Sequence, residues 1–590
     1  MGRLLTTLLL ALAATTAHAK PTEAERFNQW LDASWEVSLE REPILATSLG
    51  DPRYNDRLID TSTAAWRAEN KRYLQARLRQ LAGFKRQQLA GQDRLSYDIL
   101  KLDLTTALEG ERFGAWMQPL NQFGGFPSFL AILGAGGSIQ PFRSTKDYDD
   151  WAARLAAAPR LLDGLIANMR TGIDHGVTQP RAVMEKVLPQ LASLITADPA
   201  QSVFWGPMKA FPDAVSAADR ERLTAQFRML IGTQITPAYQ RLRAFVQTEY
   251  LPKARVSTAW SDLPDGRAWY AYLVKQSTTT AMTPDAIHAL GLQEVARILS
   301  EMEAVRREVK FDGDLPAFFK TLQDDPKFYF SKPEDLLAGY GAVQKKINSL
   351  LPKLFDIAPK ADYEVRAVEA FRAESAAGAS YQQPSADGSR PGVFYVNTFN
   401  LKAQPIYGME TLSLHEASPG HHFQISIAQE VAGLPKFRRF NTFYVAYVEG
   451  WALYAESIGK ELGMFTDPYQ WYGRLSDEQL RAMRLVVDTG LHAKGWSRQR
   501  AIDYMLANSS MVESDVVAEV ERYIVNPAQA LGYKIGQLEI SRLRREAEAA
   551  LGTRFDVRAF HRLLLTSGQL PMSVLRTRVE AWVAEEKARR

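Results

Sequence analysis

Long stretches of the chain carry apolar residues three and four positions apart, and this spacing constrains the fold more than any other feature of the sequence. The stretches are rich in Ala, Leu, Arg, Glu and Gln, which favour helix, and the spacing places the apolar side chains on one helical face. Helix-start signals agree, because Thr283 stands before Pro284 at a first helical position. We therefore predict a mainly α fold. The clearest helical stretches are residues 23–41, 63–91, 145–171, 217–249, 283–310 and 333–354.

Two segments interrupt the helical pattern. Residues 121–144 hold five glycines and apolar residues without a period, which predicts an irregular segment, either a flexible wall of a cleft or a buried connector. Residues 390–401 contain a β-branched and aromatic run at 393–398, which predicts a strand. The expected fold is thus mainly α with a small β-sheet.

Composition limits the chemistry and the class of partner. The 590 residues include no cysteine, which excludes disulfides, thiol catalysis and thiolate metal ligands, and leaves His, Asp and Glu. The formal net charge is only +4, and basic and acidic residues alternate along the chain, so no concentrated basic face for nucleic acid is expected. Because we see no linker-like tract, we predict that residues 20–590 form one large unit of two interlocked lobes.

The N-terminus has the pattern of an export signal. A short positive start is followed by an apolar segment at 4–16 and by Ala17-His18-Ala19, which matches a cleavage site. We therefore expect residues 1–19 to be removed and the mature protein to begin at Lys20, in the periplasm or outside the cell. No cysteine follows the site to carry a lipid, and no other apolar segment is long enough to predict a membrane span.

The segment 415–422, His-Glu-Ala-Ser-Pro-Gly-His-His, is the most informative motif for function. It resembles the zinc-peptidase motif H-E-x-x-H, in which histidines at i and i+4 share one helix face, but Pro419 and Gly420 precede the second histidine. The second ligand must therefore be His421 or His422. On an unbroken helix the first points away from His415 and the second lies about 10 Å along the axis. A helix break is therefore predicted at Pro-Gly.

A helical segment downstream can complete a metal site. Glu449 and Glu456 are seven residues apart and share one helix face. Two-His-one-Glu zinc sites take the third ligand from a second helix and leave the fourth position to water. Glu449 is the candidate third ligand, and Glu456 either supports a ligand histidine or is the third ligand itself. Glu416, next to His415, is the candidate general base.

These residues resemble a known family. The run His415-Glu416-x-x-Pro419-Gly420-His421 followed by residues 449–456 resembles domain-of-unknown-function family 885. That bacterial family is similar to the gluzincin metallopeptidases, the group of angiotensin-converting enzyme, neurolysin and carboxypeptidase Taq. The resemblance covers nearly the whole mature chain, although the family is named for having no assigned function. Further similar stretches are residues 283–291, 387–397, 488–492, 495–497 and 527–536.

The resemblance implies a fold and a set of roles. The fold would be a two-lobed helical metallopeptidase with a central channel, a small sheet beside the metal helix and the metal site within residues 390–540. One Zn²⁺ would be bound by His415, His421 and Glu449. His492, oriented by Asp488, and Tyr533 would donate to the oxyanion. The strand at 390–401 would be an edge strand for an extended peptide. The candidate substrate-binding residues are Tyr395, Asn397 and Arg484.

The sequence favours an exported zinc-dependent hydrolase, a peptidase of short peptides in which metal-activated water reacts with Glu416 as base. A structural zinc site has no use for an open position beside a base, so Glu416 favours an enzyme. Two alternatives stay open. One is a non-catalytic binding or scaffold protein that keeps the metal fold, and the other is a hydrolase of a non-peptide amide or ester.

Overall fold

The computed structural model describes residues 20–369, 373, 378–384 and 390–589. The predicted signal peptide at 1–19 lies outside the described residues. The prediction of a mainly α fold with a small sheet is confirmed. The helices before the sheet are α1 Glu23–Arg41, α2 Pro43–Ser48, α3 Ala64–Ala82, α4 Gly91–Gly110, α5 Phe126–Gly134, α6 Thr145–Asp174, α7 Arg181–Met184, α8 Val187–Ser193, α9 Ala217–Leu230, α10 Thr236–Phe245, α11 Leu251–Lys253, α12 Gly266–Thr278, α13 Pro284–Glu308, α14 Leu315–Asp324 and α15 Pro333–Leu350.

The helices that follow the sheet include those that carry the candidate site. They are α16 Met409–Glu416, α17 His421–Glu430, α18 Lys436–Phe440, α19 Val445–Ser457, α20 Gly459–Leu462, α21 Pro468–Ala493, α22 Arg498–Ala507, α23 Glu513–Val525, α24 Leu531–Leu551, α25 Val557–Thr566 and α26 Met572–Ala588. The strands within the described residues are β1 Leu120–Asn121, β2 Gly124–Gly125, β3 Tyr363–Ala367, β4 Ala379–Gln382 and β5 Gly392–Val396.

The predicted helix at 217–249 is one helical rod that extends to Lys253. Two wider π-helical turns, Ile231–Ile235 and Val246–Tyr250, interrupt it. Each turn comes directly before a segment whose second residue is a proline, Pro237 or Pro252. A proline ring clashes with the carbonyl four residues earlier, and a wider turn makes room for the ring without ending the helix.

The segment 121–144 is less irregular than its sequence predicts. It begins with the two-stranded hairpin of β1 and β2 and continues into α5, which has a proline in its first turn. Apart from Ser128, the residues of α5 are apolar or glycine, so apolar and polar positions do not alternate with a helical period. The expectation of an irregular segment is therefore wrong for α5.

The three-stranded sheet lies against α16, as expected, but its strand order corrects the prediction. The order is β3-β5-β4, so β5, the strand predicted at 390–401, is central and β4 is an edge. β5 runs parallel to β3 and antiparallel to β4. Phe394 and Val396 of β5 share a buried cluster with Tyr340 and Met409, and this contact fixes the sheet on α15 and α16.

A long central helix and a close helix pair build the core around the site. α21 spans 26 residues, most of them buried, and packs against α13, where Gly291 leaves room for Leu485 and Val486. α19 and α24 meet at Gly450 and Gly536, where a Cβ on either residue would lie 2.6 Å or less from backbone atoms of the other helix. Two interlocked lobes around a channel stay a prediction. Within the described residues, no helix combines the length and apolarity that a membrane crossing needs.

Gly536→Ala should destabilise the protein by at least about 1–3 kcal/mol, the usual cost of overpacking a tight core. The added Cβ would lie 1.8 Å from the Ala446 carbonyl oxygen, so α19 and α24 must separate. Gly341→Ala on α15 is the matched control, because nothing lies within 4 Å of its Cβ position. The control should gain about 0.5–1 kcal/mol. Urea unfolding of both variants measures the difference, and equal stabilities would contradict the close contact.

Candidate metal centre and its cavity

The helix break predicted at Pro419-Gly420 is present. α16 ends at Glu416, and α17 begins at His421. A Cβ at Gly420 would lie 1.9 Å from the His415 carbonyl oxygen, so only glycine fits this turn. The break turns the second histidine back onto the first, and the His415 and His421 rings lie 4.7 Å apart and nearly perpendicular.

Glu449 of α19 completes a three-residue cluster. Its Oε2 lies 3.4 Å from His415 Nε2 and 3.5 Å from His421 Nε2, and the three candidate ligand atoms lie within 4.8 Å of one another. Ligands at about 2.1 Å from a tetrahedral ion are about 3.4 Å apart, whereas N–H···O hydrogen bonds are about 2.7–3.2 Å long. Glu449 Oε2 is buried and has no hydrogen-bond partner among the described residues. These three residues therefore fit a divalent ion.

Glu456 orients the first histidine. Its Oε1 accepts a 2.6 Å hydrogen bond from His415 Nδ1, so that Nε2 is the ring nitrogen that faces Glu449 and that would bind an ion after losing its proton. Burial alone would lower the pKa of His415, but Glu449 and Glu456 raise it to about 10. Burial alone would raise the pKa of Glu449, but the nearby charges of His421 and His415 hold it well below its usual value.

His422 is directed away from the cluster. Its Nδ1 lies 2.9 Å from the Tyr381 hydroxyl and 3.3 Å from Ser426 Oγ, and its ring packs 4.7 Å from that of Tyr363. Burial lowers the pKa of His422 to about 4. Of the two histidines left open by the motif's spacing, only His421 lies where it can share an ion with His415.

A cavity of about 350 Å³ opens beside the cluster. Glu416 lines it together with the three cluster residues, as the general-base prediction requires. Tyr533 and Arg484 line it too, and the Arg484 guanidinium lies 4.6 Å from the centre of the Tyr533 ring. Burial, and then the charge of Glu449, raise the pKa of Tyr533, so its hydroxyl keeps its proton at neutral pH. The remaining lining residues are Ala379, Ser380, Tyr381, Ile425, Phe443, Val448 and Arg481.

The structure does not bring His492 to this cavity. The ring of His492 is fully buried. Its Nδ1 accepts a hydrogen bond from the backbone N–H of Trp260, and its Nε2 donates one to the backbone carbonyl of Tyr523. Both ring nitrogens are therefore used in holding distant segments together. Asp488 does not orient the ring, because it accepts hydrogen bonds from the Tyr270 hydroxyl and the Ala528 N–H. The predicted oxyanion role of His492 is wrong.

Tyr395 and Asn397 do not line the cavity either. The Tyr395 hydroxyl lies 3.3 Å from Gln382 Oε1. Asn397 donates to the Ala373 carbonyl and accepts from the Phe399 N–H. The physical reason is the strand order, since β5 is central and β4 takes the edge position that faces the cavity.

Sequence reasoning missed two parts of the cavity wall. β4 has the short sequence Ala-Ser-Tyr-Gln, which carries almost no strand signal. Arg481 could have been found, because it lies three residues before Arg484 and so shares its helix face.

The chain belongs to a family of bacterial proteins of unknown function, domain-of-unknown-function family 885. The family model matches residues 43–579, which confirms the resemblance seen in the motifs.

Two solved structures are similar to the chain, each described as a "putative lipoprotein". The one from Colwellia psychrerythraea is 28% identical, with a TM-score of 0.87, and the match covers 96% of this chain and 100% of that one. The one from Shewanella oneidensis, described as of unknown function, is 18% identical, with a TM-score of 0.71 and coverage of 95% and 99%. None of the curated proteins compared matches the chain. The likeness supports the fold, and neither description names an activity.

His492→Gln should change the pH dependence of stability. Burial, with a smaller effect from the charge of Arg255, lowers the pKa of His492 to about 3. Because the unfolded chain binds this proton near pH 6.5, stability present above that pH is lost as the pH falls towards 3. The loss from this group between pH 7 and pH 5 is about 2 kcal/mol.

The variant should be less stable at pH 7, because the Trp260 N–H loses its acceptor, but its stability should fall about 2 kcal/mol less between pH 7 and pH 5. Urea unfolding at the two pH values measures this. The exposed His175 supplies the control His175→Gln, which should keep the wild-type pH dependence. A wild-type pH dependence in His492→Gln would contradict the assignment.

Proposed function

We propose that the protein is a zinc-dependent hydrolase, a peptidase of short peptides, with one ion bound by His415 Nε2, His421 Nε2 and Glu449. The observation that carries the proposal is the buried Glu449 Oε2, which has no hydrogen-bond partner among the described residues and lies 3.4 and 3.5 Å from the two imidazoles. Two imidazoles and one carboxylate form the ligand set of catalytic zinc sites that leave the fourth position open.

Each remaining cavity residue has a role that its position supports. A bound zinc ion would supply a Lewis acid and lower the pKa of a water molecule. Glu416, adjacent to His415, accepts the proton of the attacking water and passes it to the leaving amine. Tyr533 is the remaining sequence-predicted candidate for donating a hydrogen bond to the oxyanion. Glu456 keeps His415 in the tautomer that a metal ligand requires.

The edge strand β4 supports a peptide as the substrate. The Asn397 N–H donates to the Gly378 carbonyl, so in an antiparallel ladder Ser380 and Gln382 also bond to β5. The backbone N–H and C=O groups of Ala379 and Tyr381 then point outward, and no described strand pairs with that edge. An extended peptide can add to such an edge through main-chain hydrogen bonds. A non-peptide amide or ester would make no use of this edge.

A non-catalytic binding protein is the second candidate, and Glu416 discriminates between the two. A protein that only binds the ion has no role for a carboxylate that lines the cavity beside the ligands. The proposed compartment is the periplasm or the outside of the cell, and it is supported by the N-terminal sequence pattern at 1–19.

His421→Gln and His422→Gln form a matched pair that tests the metal site. Glutamine replaces the ring with an amide that binds zinc poorly, so His421→Gln should lose most of the bound zinc. His422→Gln should keep about one zinc per chain, because His422 bonds to Tyr381 and Ser426. Elemental analysis of the dialysed proteins measures the content. The ligand set is refuted if His422→Gln loses the metal and His421→Gln keeps it.

Glu416→Gln should keep the zinc and lower the rate of peptide hydrolysis by about 10²–10⁴-fold, because the amide cannot accept the water proton. Rates come from digestion of a short-peptide library followed by mass spectrometry. Glu430→Gln is the control, since Glu430 lies outside the cavity and accepts from the backbone N–H groups of Lys360 and Ala361. Normal turnover in Glu416→Gln would place the chemistry elsewhere.

A further inference from the structure

Two arginines of α21 face the cavity side by side. Arg481 and Arg484 are three residues apart, so they share one face of the helix, and both line the cavity that contains Glu416 and the cluster. Their side chains are only 12% and 7% exposed. Two guanidinium groups that share one buried wall repel each other. Burial and the charge of Arg484 act to lower the pKa of Arg481, but the charge of Asp477 outweighs them and raises it overall.

Each arginine is held by one carboxylate and keeps donors without a partner. Arg484 donates from Nε and Nη2 to Glu519 and from Nε to the Tyr523 hydroxyl, while its buried Nη1 has no hydrogen-bond partner among the described residues. Arg481 donates to Asp477 from Nη1 alone, and its buried Nε is likewise unpartnered within the described chain.

The open donors of Arg481 have the geometry for a carboxylate. Its hydrogen bonds leave Nε and Nη2 uncommitted, and these atoms form the edge of a guanidinium group that binds a carboxylate through two parallel hydrogen bonds. A buried N–H without a partner costs free energy, so an acceptor in the cavity would stabilise both arginines. Asp477 binds Nη1 of Arg481, on the other side from this edge, whereas Glu519 takes the Nε and Nη2 edge of Arg484 and leaves its Nη1 open. The two carboxylates keep the side chains in place.

We propose that Arg481 and Arg484 bind a carboxylate of the substrate, which makes the cavity specific for a peptide that presents its C-terminal carboxylate beside the scissile bond. The inference rests on the proposed peptidase function. The cavity volume of about 350 Å³ is at the small end of the range for ligand pockets, which suits the end of a peptide. An acidic side chain near the cleavage site carries the same chemical group and is the second source to be tested.

Matched peptides with a free C-terminal acid or a C-terminal amide test the proposal. The wild-type protein should hydrolyse the acid with a kcat/KM about 10–100-fold higher, the factor expected when charge-assisted hydrogen bonds are lost. In Arg481→Met this preference should fall to about one. Arg481→Lys keeps the positive charge beside Asp477 but lacks the two-donor edge, so it should show an intermediate preference even if the methionine variant fails to fold.

The control is Arg474→Met. Arg474 lies on the same helix, its side chain is only 6% exposed and pairs with Glu478, and it is not among the residues that line the cavity. This variant should keep the wild-type acid preference. Equal kcat/KM for acid and amide in the wild-type protein, or an unchanged preference in both Arg481 variants, would overturn the proposal.

A third peptide, an amide that ends in glutamate, distinguishes a C-terminal carboxylate from an acidic side chain. If this peptide were cleaved at the rate of the free acid, the assignment to the C-terminal carboxylate would be overturned in favour of an acidic side chain.

Binding to Glu416→Gln separates this proposal from the proposed function. Calorimetry with the acid and amide peptides measures the preference without turnover, and the acid should bind about 10–100-fold more tightly. If the wild-type protein hydrolyses no peptide, the peptidase proposal fails, and the acid preference in binding still decides whether the arginines bind a carboxylate. Equal Kd values would refute the carboxylate site whatever the activity.

Discussion

The absence of a side chain at Gly420 is the constraint on which the candidate metal centre depends. Any Cβ there would collide with the carbonyl oxygens of Leu414 and His415, so the chain can fold back tightly only with glycine. This return places His421 at the first position of the next helix, facing His415. The indole N–H of Trp451 then donates to the Pro419 carbonyl at 2.8 Å. That bond ties the break to the helix that carries the third candidate ligand.

A second glycine contact sets the opposite wall of the cavity. Gly450 and Gly536 let α19 and α24 approach until their backbones touch. Glu449 precedes the first glycine by one residue, and Tyr533 precedes the second by three. The close approach therefore brings the tyrosine to the cavity beside the carboxylate. Lys534, the next residue, lies on another face of α24, where it is fully buried and paired with Glu294 and Glu478.

Local spacing could predict the cluster but not the residues whose roles depend on distant partners. The histidines of the motif and Glu449 lie within 35 residues, and the need for a helix break follows from Pro-Gly alone. His492 looks the same in sequence whether it is catalytic or structural, and the Trp260 N–H that decides the matter is 232 residues away. The order of the sheet likewise depends on β4, whose sequence has almost no strand signal. The helix α5 was not predicted from the sequence because it has almost no polar residues to mark a helical period.

Charge pairing separates Glu416 from the other carboxylates near the site. Asp477 is matched by Arg481, and Glu519 by Arg484. A dication bound at the cluster would be matched by Glu449 and by Glu456, which bonds to the ligand His415. Glu416 belongs to none of these pairs, and it lines the cavity where a substrate would bind. A carboxylate whose charge is not committed to a cation can accept a proton without breaking an ion pair, so among these five acidic residues Glu416 is best placed to act as the base.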